Sequence, residues 1–137
     1  MAEPTFQPSA VVEENTPDAK TILLVEDHED SAAVFERLLI RRGYRVLRAS
    51  TLLEGLAILE QSPVDLLIAD LSLPDGSGLE LLRPSAAKAR PPAIALSGHS
   101  APDDLRRSRE SGFARHLVKP VDFPVLCESI QELLARP

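Results

Sequence analysis

From Thr21 onward, short apolar runs alternate with stretches whose apolar residues recur at helical spacing. The runs fall at 21–25, 44–49, 65–70, 93–97 and 113–118, each of strand length. Between them stand Phe35, Leu38 and Leu39, then Leu52, Leu56 and Leu59, then Leu79 and Leu82, and last Leu126, Ile130, Leu133 and Leu134. Spacings of three and four put each set on one face of a helix. A further helix is predicted from about Ala101 to Ser111, "APDDLRRSRES", with Leu105 as its only large apolar residue. Such a helix buries little and is expected to be loosely held. Asp30 or Ser31 is expected to cap the first helix and Gly43 to close it. Strands alternating with helices of this length imply right-handed βαβ crossovers and a parallel sheet covered on both faces. The pattern predicts a five-stranded, doubly wound α/β domain.

Residues 1–19 break the alternation. Pro4, Pro8 and Pro17 punctuate a stretch with no apolar period, which reads as a flexible tail or linker before a domain over 20–137. The chain has 137 residues, of which 44% are hydrophobic and 26% charged, enough for one domain with a core of its own. Its formal net charge of -6 argues against nucleic acid or an anionic membrane as the main partner. Cys127 is the single cysteine, so no intrachain disulfide forms, and a small buried residue is its default reading. No apolar run reaches the roughly 18 residues of a membrane span. The start "MAEPTFQPSAVVEENTPD" lacks the basic and apolar regions of a signal peptide. A soluble, cytoplasmic domain is the expectation.

Open α/β sheets place their sites beyond the carboxyl ends of the strands. The first run, in "TILLVEDHED", ends at Glu26 and Asp27, with Glu29 and Asp30 close behind. The third, "VDLLIAD", ends at Asp70; the fourth, "PAIALSG", at Ser97; the fifth, "FARHLVKP", at Lys119 and Pro120. The second, near Ala49 and Ser50, offers nothing reactive. Taken singly, the acids read as a solvated turn, Ser97 as a turn hydroxyl and Lys119 as a surface lysine. Glu29 and Asp30 suit the start of a helix, where negative charge meets the dipole. Three acids, one hydroxyl and one amine on a common rim are another matter, because repelling carboxylates gain from a shared cation. Asp75 to Gly78, "DGSG", reads as a turn, since no Gly-Lys-Ser/Thr follows as a phosphate loop requires. His28, His99 and His116 lack zinc-site spacing.

In this order and spacing, "LLVEDHED", "LLIADLSLPDGSGLEL", "IALSGHS" and "HLVKP" resemble the receiver domain of two-component response regulators, over roughly residues 20 to 136. The resemblance implies a flavodoxin-like sheet of strand order 2-1-3-4-5 and a phosphoacceptor switch rather than an enzyme acting on outside substrates. A histidine kinase or phosphotransfer protein would supply the phosphoryl group, and the acyl phosphate would hydrolyse itself. Asp70 matches the phosphoacceptor, a carboxylate nucleophile towards phosphorus. Glu26, Asp27, Asp70 and the Ser72 carbonyl match the Mg2+ ligands, an oxygen set suited to that hard cation. Lys119 would pair with the acceptor carboxylate or its phosphoryl group, and Ser97 would donate its hydroxyl to a phosphoryl oxygen. His116 stands where the family places a rotating ring that swings inward on phosphorylation; its bland reading is an edge-strand residue. Residues 101–136 would form the face for a downstream protein or output domain, with Arg106, Arg107, Arg109 and Arg115 available to an acidic partner. Family members often hold the bond matching Lys119–Pro120 in cis, the isomer open to X–Pro at about 0.5–1 kcal/mol.

This chain also departs from the common pattern. The acidic pair is Glu-Asp where Asp-Asp is frequent, and Ser97 stands where threonine is also common. Ser72 and His99 occupy positions that tune dephosphorylation. Pro84 falls inside the third helix and is expected to end or kink it near Arg83. Two other classes compete. A pseudo-receiver would bind partners without phosphate, against the intact acid, hydroxyl and lysine set. A haloacid-dehalogenase-like hydrolase would carry a general acid two residues after its nucleophile; here that residue is Ser72. After the last helix the chain stops, which suits either a stand-alone receiver or a piece of a multidomain protein.

Overall fold

The computed structural model describes residues 18–82, 90–98 and 102–135. Nearly all of the expected tail, Pro84 with its predicted kink, and His99 lie outside these residues. The sheet strands are β1 (Thr21–Val25), β2 (Arg45–Ala49), β3 (Leu66–Asp70), β4 (Ala93–Ser97) and β5 (Arg115–Val118). The helices are α1 (Glu29–Arg41), α2 (Leu52–Gln61), α3 (Pro102–Glu110) and α4 (Phe123–Leu134). All sheet neighbours are parallel, in the order β2-β1-β3-β4-β5, as the resemblance implies.

Strand periodicity divides the core in two. Leu23 and Val25, Leu67 and Ala69, Ala93 and Ala95 face one side, with Leu52, Leu81, Leu82 and Phe113. Ile22 and Leu24, Leu66 and Ile68, Ile94 and Leu96 face the other, under Ala32, Leu39, Leu126, Ile130 and Leu133. Burying each leucine or isoleucine stabilises the fold by roughly 1.5–3 kcal/mol. The central strands therefore read as unbroken apolar runs, because both faces are covered. Cys127 is buried in α4, and burial pushes its thiol pKa up.

The edge strands are charged. Arg48 of β2 binds Glu29 at 2.7 Å and Glu36 at 3.1 Å, both on α1. Arg115 of β5 binds Glu132 of α4 at 3.1 Å.

Local sequence explains most element ends. Gly43 closes α1 at φ 96°, with its N–H on the Ile40 carbonyl and the Tyr44 N–H on the Leu39 carbonyl, a Schellman motif. The expected start is corrected: the cap is His28, not Asp30 or Ser31, and it makes no side-chain capping bond. The ladder begins with the Ala32 N–H on the His28 carbonyl, so Glu29 and Asp30 fall inside the first turn, where the dipole favours them. The fifth strand starts at Arg115 rather than 113, because Gly112 (φ 106°) and Phe113 still satisfy α3 carbonyls of Arg109 and Ser108. Asp122 caps α4, and Pro124 sits in its first turn, where a missing N–H costs nothing. Lys119–Pro120 is cis.

The third helix differs most from expectation. A ribbon of two-residue antiparallel strands, Ser72–Leu73 and Gly76–Ser77, follows β3, and Gly78–Leu82 then forms a 3-10 helix. The three-residue spacing of Leu79 and Leu82 fits that tighter helix as well as an α-helix.

One loop contact has no counterpart in the sequence reading. Asp75 accepts from the Leu52 N–H at 2.7 Å and the Leu53 N–H at 3.0 Å, capping α2 from 23 and 22 residues away. Thr51 adds the local cap, accepting from the Glu54 N–H. The Leu52 and then the Leu53 hydrogen bond hold the Asp75 pKa below its ordinary value. A depressed carboxyl contributes stability above its unfolded pKa and loses it as pH falls through the folded value. Asp75→Ala should therefore lower the thermal midpoint at neutral pH, and the gap to wild type should close as pH drops below about 4. Calorimetry at neutral pH and near pH 3 checks this; a gap independent of pH sinks it.

Candidate functional site

The strand register assembles the rim. Val25 lies beside Ala69, so Glu26 follows next to Asp70. Asp70 lies beside Leu96, one residue short of Ser97, and Ser97 beside Val118, one residue short of Lys119. The Lys119 N–H donates to the Ser97 carbonyl at 2.8 Å, fixing the last step.

Glu26, Asp70 and Ser97 are buried, at 1%, 3% and 6% exposure. Burial of two carboxylates demands compensation, and Lys119 provides part of it. Its Nζ donates to Asp70 Oδ2 at 2.7 Å and to Glu26 Oε1 at 3.1 Å. Burial works against the lysine charge, but the bonds to Asp70 and Glu26 outweigh it and raise its pKa. Asp70 Oδ1 accepts from the Ser72 N–H at 3.0 Å. Glu26 Oε2 accepts from the His28 N–H and meets His28 Nδ1, both at 3.0 Å. That hydrogen bond first, then the charges of Asp27 and Glu26, raise the His28 pKa. His28 is a partner the sequence reading missed; its place directly behind the acidic pair was the available signal.

Asp27 completes the set. Its Oδ1 is buried without a hydrogen bond and lies 3.5 Å from His28 Nδ1. Ligand atoms from Glu26, Asp27, His28 and Asp70 all lie within 4.8 Å of one another. One ammonium bonds two of the three carboxyl groups, the third has an orphaned oxygen, and oxygen donors of this kind suit a small hard cation such as Mg2+. Such an ion would offset charge that Lys119 alone does not.

Gly78 brings the loop against the strand end. A Cβ there would collide with the Asp70 carbonyl oxygen and stand 3.1 Å from the Leu71 Cα. The Gly78 N–H donates to the Leu71 carbonyl at 3.0 Å.

Two cavities flank the carboxylates. One of about 550 Å³ is lined by Glu26, His28, Ser31, Phe35, Lys119 and Val121, among others. The other, about 180 Å³, is lined by Leu71, Leu79, three serines (Ser72, Ser77 and Ser97), Asp104 and Arg107. His116 lies apart from the acids, its Nδ1 3.0 Å from the buried Ser108 Oγ on α3. Glu29 is an Arg48 partner instead of a member of the acid cluster, which answers the crowding behind β1.

The family model for the response regulator receiver domain matches residues 22–131. The chain is 30% identical over 118 residues to the polar-differentiation response regulator DivK of Brucella ovis, covering 84% of this chain and 96% of that protein. It is similar in structure to a CheY-like receiver domain of Methanospirillum hungatei, with TM-score 0.77, 32% identity and coverage of 85% of this chain and 94% of that one. The receiver domain of a sensor histidine kinase of Pseudomonas aeruginosa, which has a magnesium ion coordinated in its active-site cleft, aligns with TM-score 0.76 and 28% identity, covering 86% of this chain and 99% of that one.

Proposed function

Because this chain belongs to the response regulator receiver family of two-component systems, we propose that Asp70 accepts a phosphoryl group from a histidine kinase or phosphotransfer protein, with residues 20–137 acting as one receiver unit. The observation that carries this reading is the Lys119 ammonium joined to both Asp70 and Glu26, beside the orphaned Asp27 oxygen. An Asp70 carboxylate oxygen forms a bond to phosphorus as the donor's bond to phosphorus breaks, and the electron pair leaves with the donor. Lys119 then shifts from the carboxylate towards the phosphoryl oxygens, and Ser97 donates its hydroxyl to one of them. Glu26, Asp27, Asp70 and the Ser72 carbonyl would hold Mg2+, which supplies charge neutralisation for the transferring group. Catalysis in such a site is positioning and electrostatics, because no proton has to move for the acyl phosphate to form.

The output runs through α3 and β5. Phosphorylation adds about -1.5 to -2 charge at Asp70 and draws Ser97 towards it. His116 then leaves Ser108 and turns inward, freeing α3 from β5 and altering the face over residues 101–136 that a downstream protein reads. Among the described residues no helix is long and apolar enough to cross a membrane.

The test is intact-protein mass spectrometry after incubation with acetyl phosphate, with and without Mg2+, beside Asp70→Ala. One phosphoryl adduct is expected in wild type with Mg2+ and none in the variant. A folded wild type that takes no adduct under any condition would make the domain a phosphate-independent binding module.

A further inference from the structure

The cavity of about 180 Å³ beside Ser97 is lined by a cation that the phosphorylation chemistry above does not use. Arg107, on α3, lines it together with Ser72, Ser77, Ser97 and Asp104. Its neighbour Arg106 is engaged, with Asp103 at 2.8 Å and Glu110 at 4.0 Å. Arg107 has no hydrogen bond or ion pair through its guanidinium among the described residues. Arg107 is exposed, and it shares the cavity wall with three serines; guanidinium matches phosphoryl geometry with two parallel N–H bonds. Asp104, half-buried on the same wall, is one helical turn away and forms no ion pair with Arg107.

We propose that Arg107 is a second cationic ligand of the phosphoryl group on Asp70, reaching it across this serine-lined cavity. The inference rests on Asp70 being the acceptor. Ser97 is common to both sides: it lines the cavity and, in the reading above, donates to a phosphoryl oxygen. Arg107 therefore lines a different cavity from Lys119, whose cavity shares none of these lining residues. The consequence is a direct tie between the modified aspartate and α3. That helix has few apolar anchors, with only Ser108 fully buried among its residues, so one charged bond weighs heavily in its position. Phosphorylation then pulls α3 through Arg107 as well as releasing it from His116.

The test uses beryllofluoride, a phosphoryl mimic, with Mg2+ present, and measures its apparent affinity by titration on wild type, Arg107→Ala, Arg107→Lys, Arg106→Ala and Arg109→Ala. Arg107→Ala should bind roughly three- to tenfold more weakly, the range for one partly exposed charge-assisted contact. Arg107→Lys should recover part of the loss. Arg106→Ala and Arg109→Ala should match wild type, because they change net charge equally without lining the cavity. With beryllofluoride bound, α3 should exchange more slowly in wild type than in Arg107→Ala, because both lose the His116 contact and only wild type gains the Arg107 tie. Equal affinity in wild type and Arg107→Ala, or an equal loss in all three alanine variants, overturns the role of Arg107 while leaving Asp70 as the acceptor. A folded wild type that binds no beryllofluoride overturns the acceptor assignment and this inference with it.

Discussion

Lys119→Ala should slow phosphorylation of Asp70 by about a hundredfold while tightening Mg2+ binding. The two effects have opposite signs because the ammonium plays opposite parts in them. Towards a phosphoryl group it is an organised positive charge, and removing one such donor from an active site costs about 10²–10³ in rate. Towards a metal ion it is a competitor, already holding Asp70 at 2.7 Å and Glu26 at 3.1 Å. Without it, both buried carboxylates lose their ammonium partner and gain more from the metal ion. Calorimetric titration of Mg2+ and the rate of adduct formation at saturating Mg2+ separate the two parts. If both quantities fall together, Lys119 holds the shape of the site rather than its charge balance.

Gly78→Ala should destabilise the domain by about 3 kcal/mol, towards the upper end for overpacking. The added methyl would meet the Asp70 carbonyl oxygen and crowd the Leu71 Cα, both backbone, so no side-chain rotation relieves the contact. Either the 3-10 helix withdraws, exposing part of Leu81 and Leu82, or the end of β3 moves. The second route displaces Asp70 itself, so phosphorylation should slow even at temperatures where the variant stays folded. Thermal unfolding beside the phosphorylation rate at low temperature is the check. A midpoint within a degree or two of wild type would mean that the loop yields without cost.

The centre of the sheet was legible because β1, β3 and β4 are buried on both faces, so "ILLV", "LLIAD" and "AIALS" read as short unbroken apolar runs of strand length. Most of the rim was legible for the same reason: a polar residue that ends a buried apolar run, as Asp70 and Ser97 do, or directly follows it, as Glu26 does, stands at the carboxyl edge of the sheet. What escaped was set by distant partners. Asp75 looks like a turn residue in "LPDGSG", and nothing near it in the chain announces that its carboxylate caps α2. His28 became the α1 cap because the Ala32 N–H reaches its carbonyl, although Asp30 and Ser31 have the better capping chemistry. The 3-10 helix was hidden because leucines three apart serve either helix. His116 was correctly placed on β5, but its bond to Ser108 depends on how α3 packs, and α3 has too little apolar pattern for its orientation to be read.

The two outer strands of the sheet each carry an arginine tied to the adjoining helix, Arg48 to α1 and Arg115 to α4. An open strand edge is a template for another chain, and a charged side chain held beside it makes a second strand costly to add. The domain is thereby protected against polymerising through its own backbone. Exchanging Arg48 and Arg115 for valine would remove that protection from both margins at once.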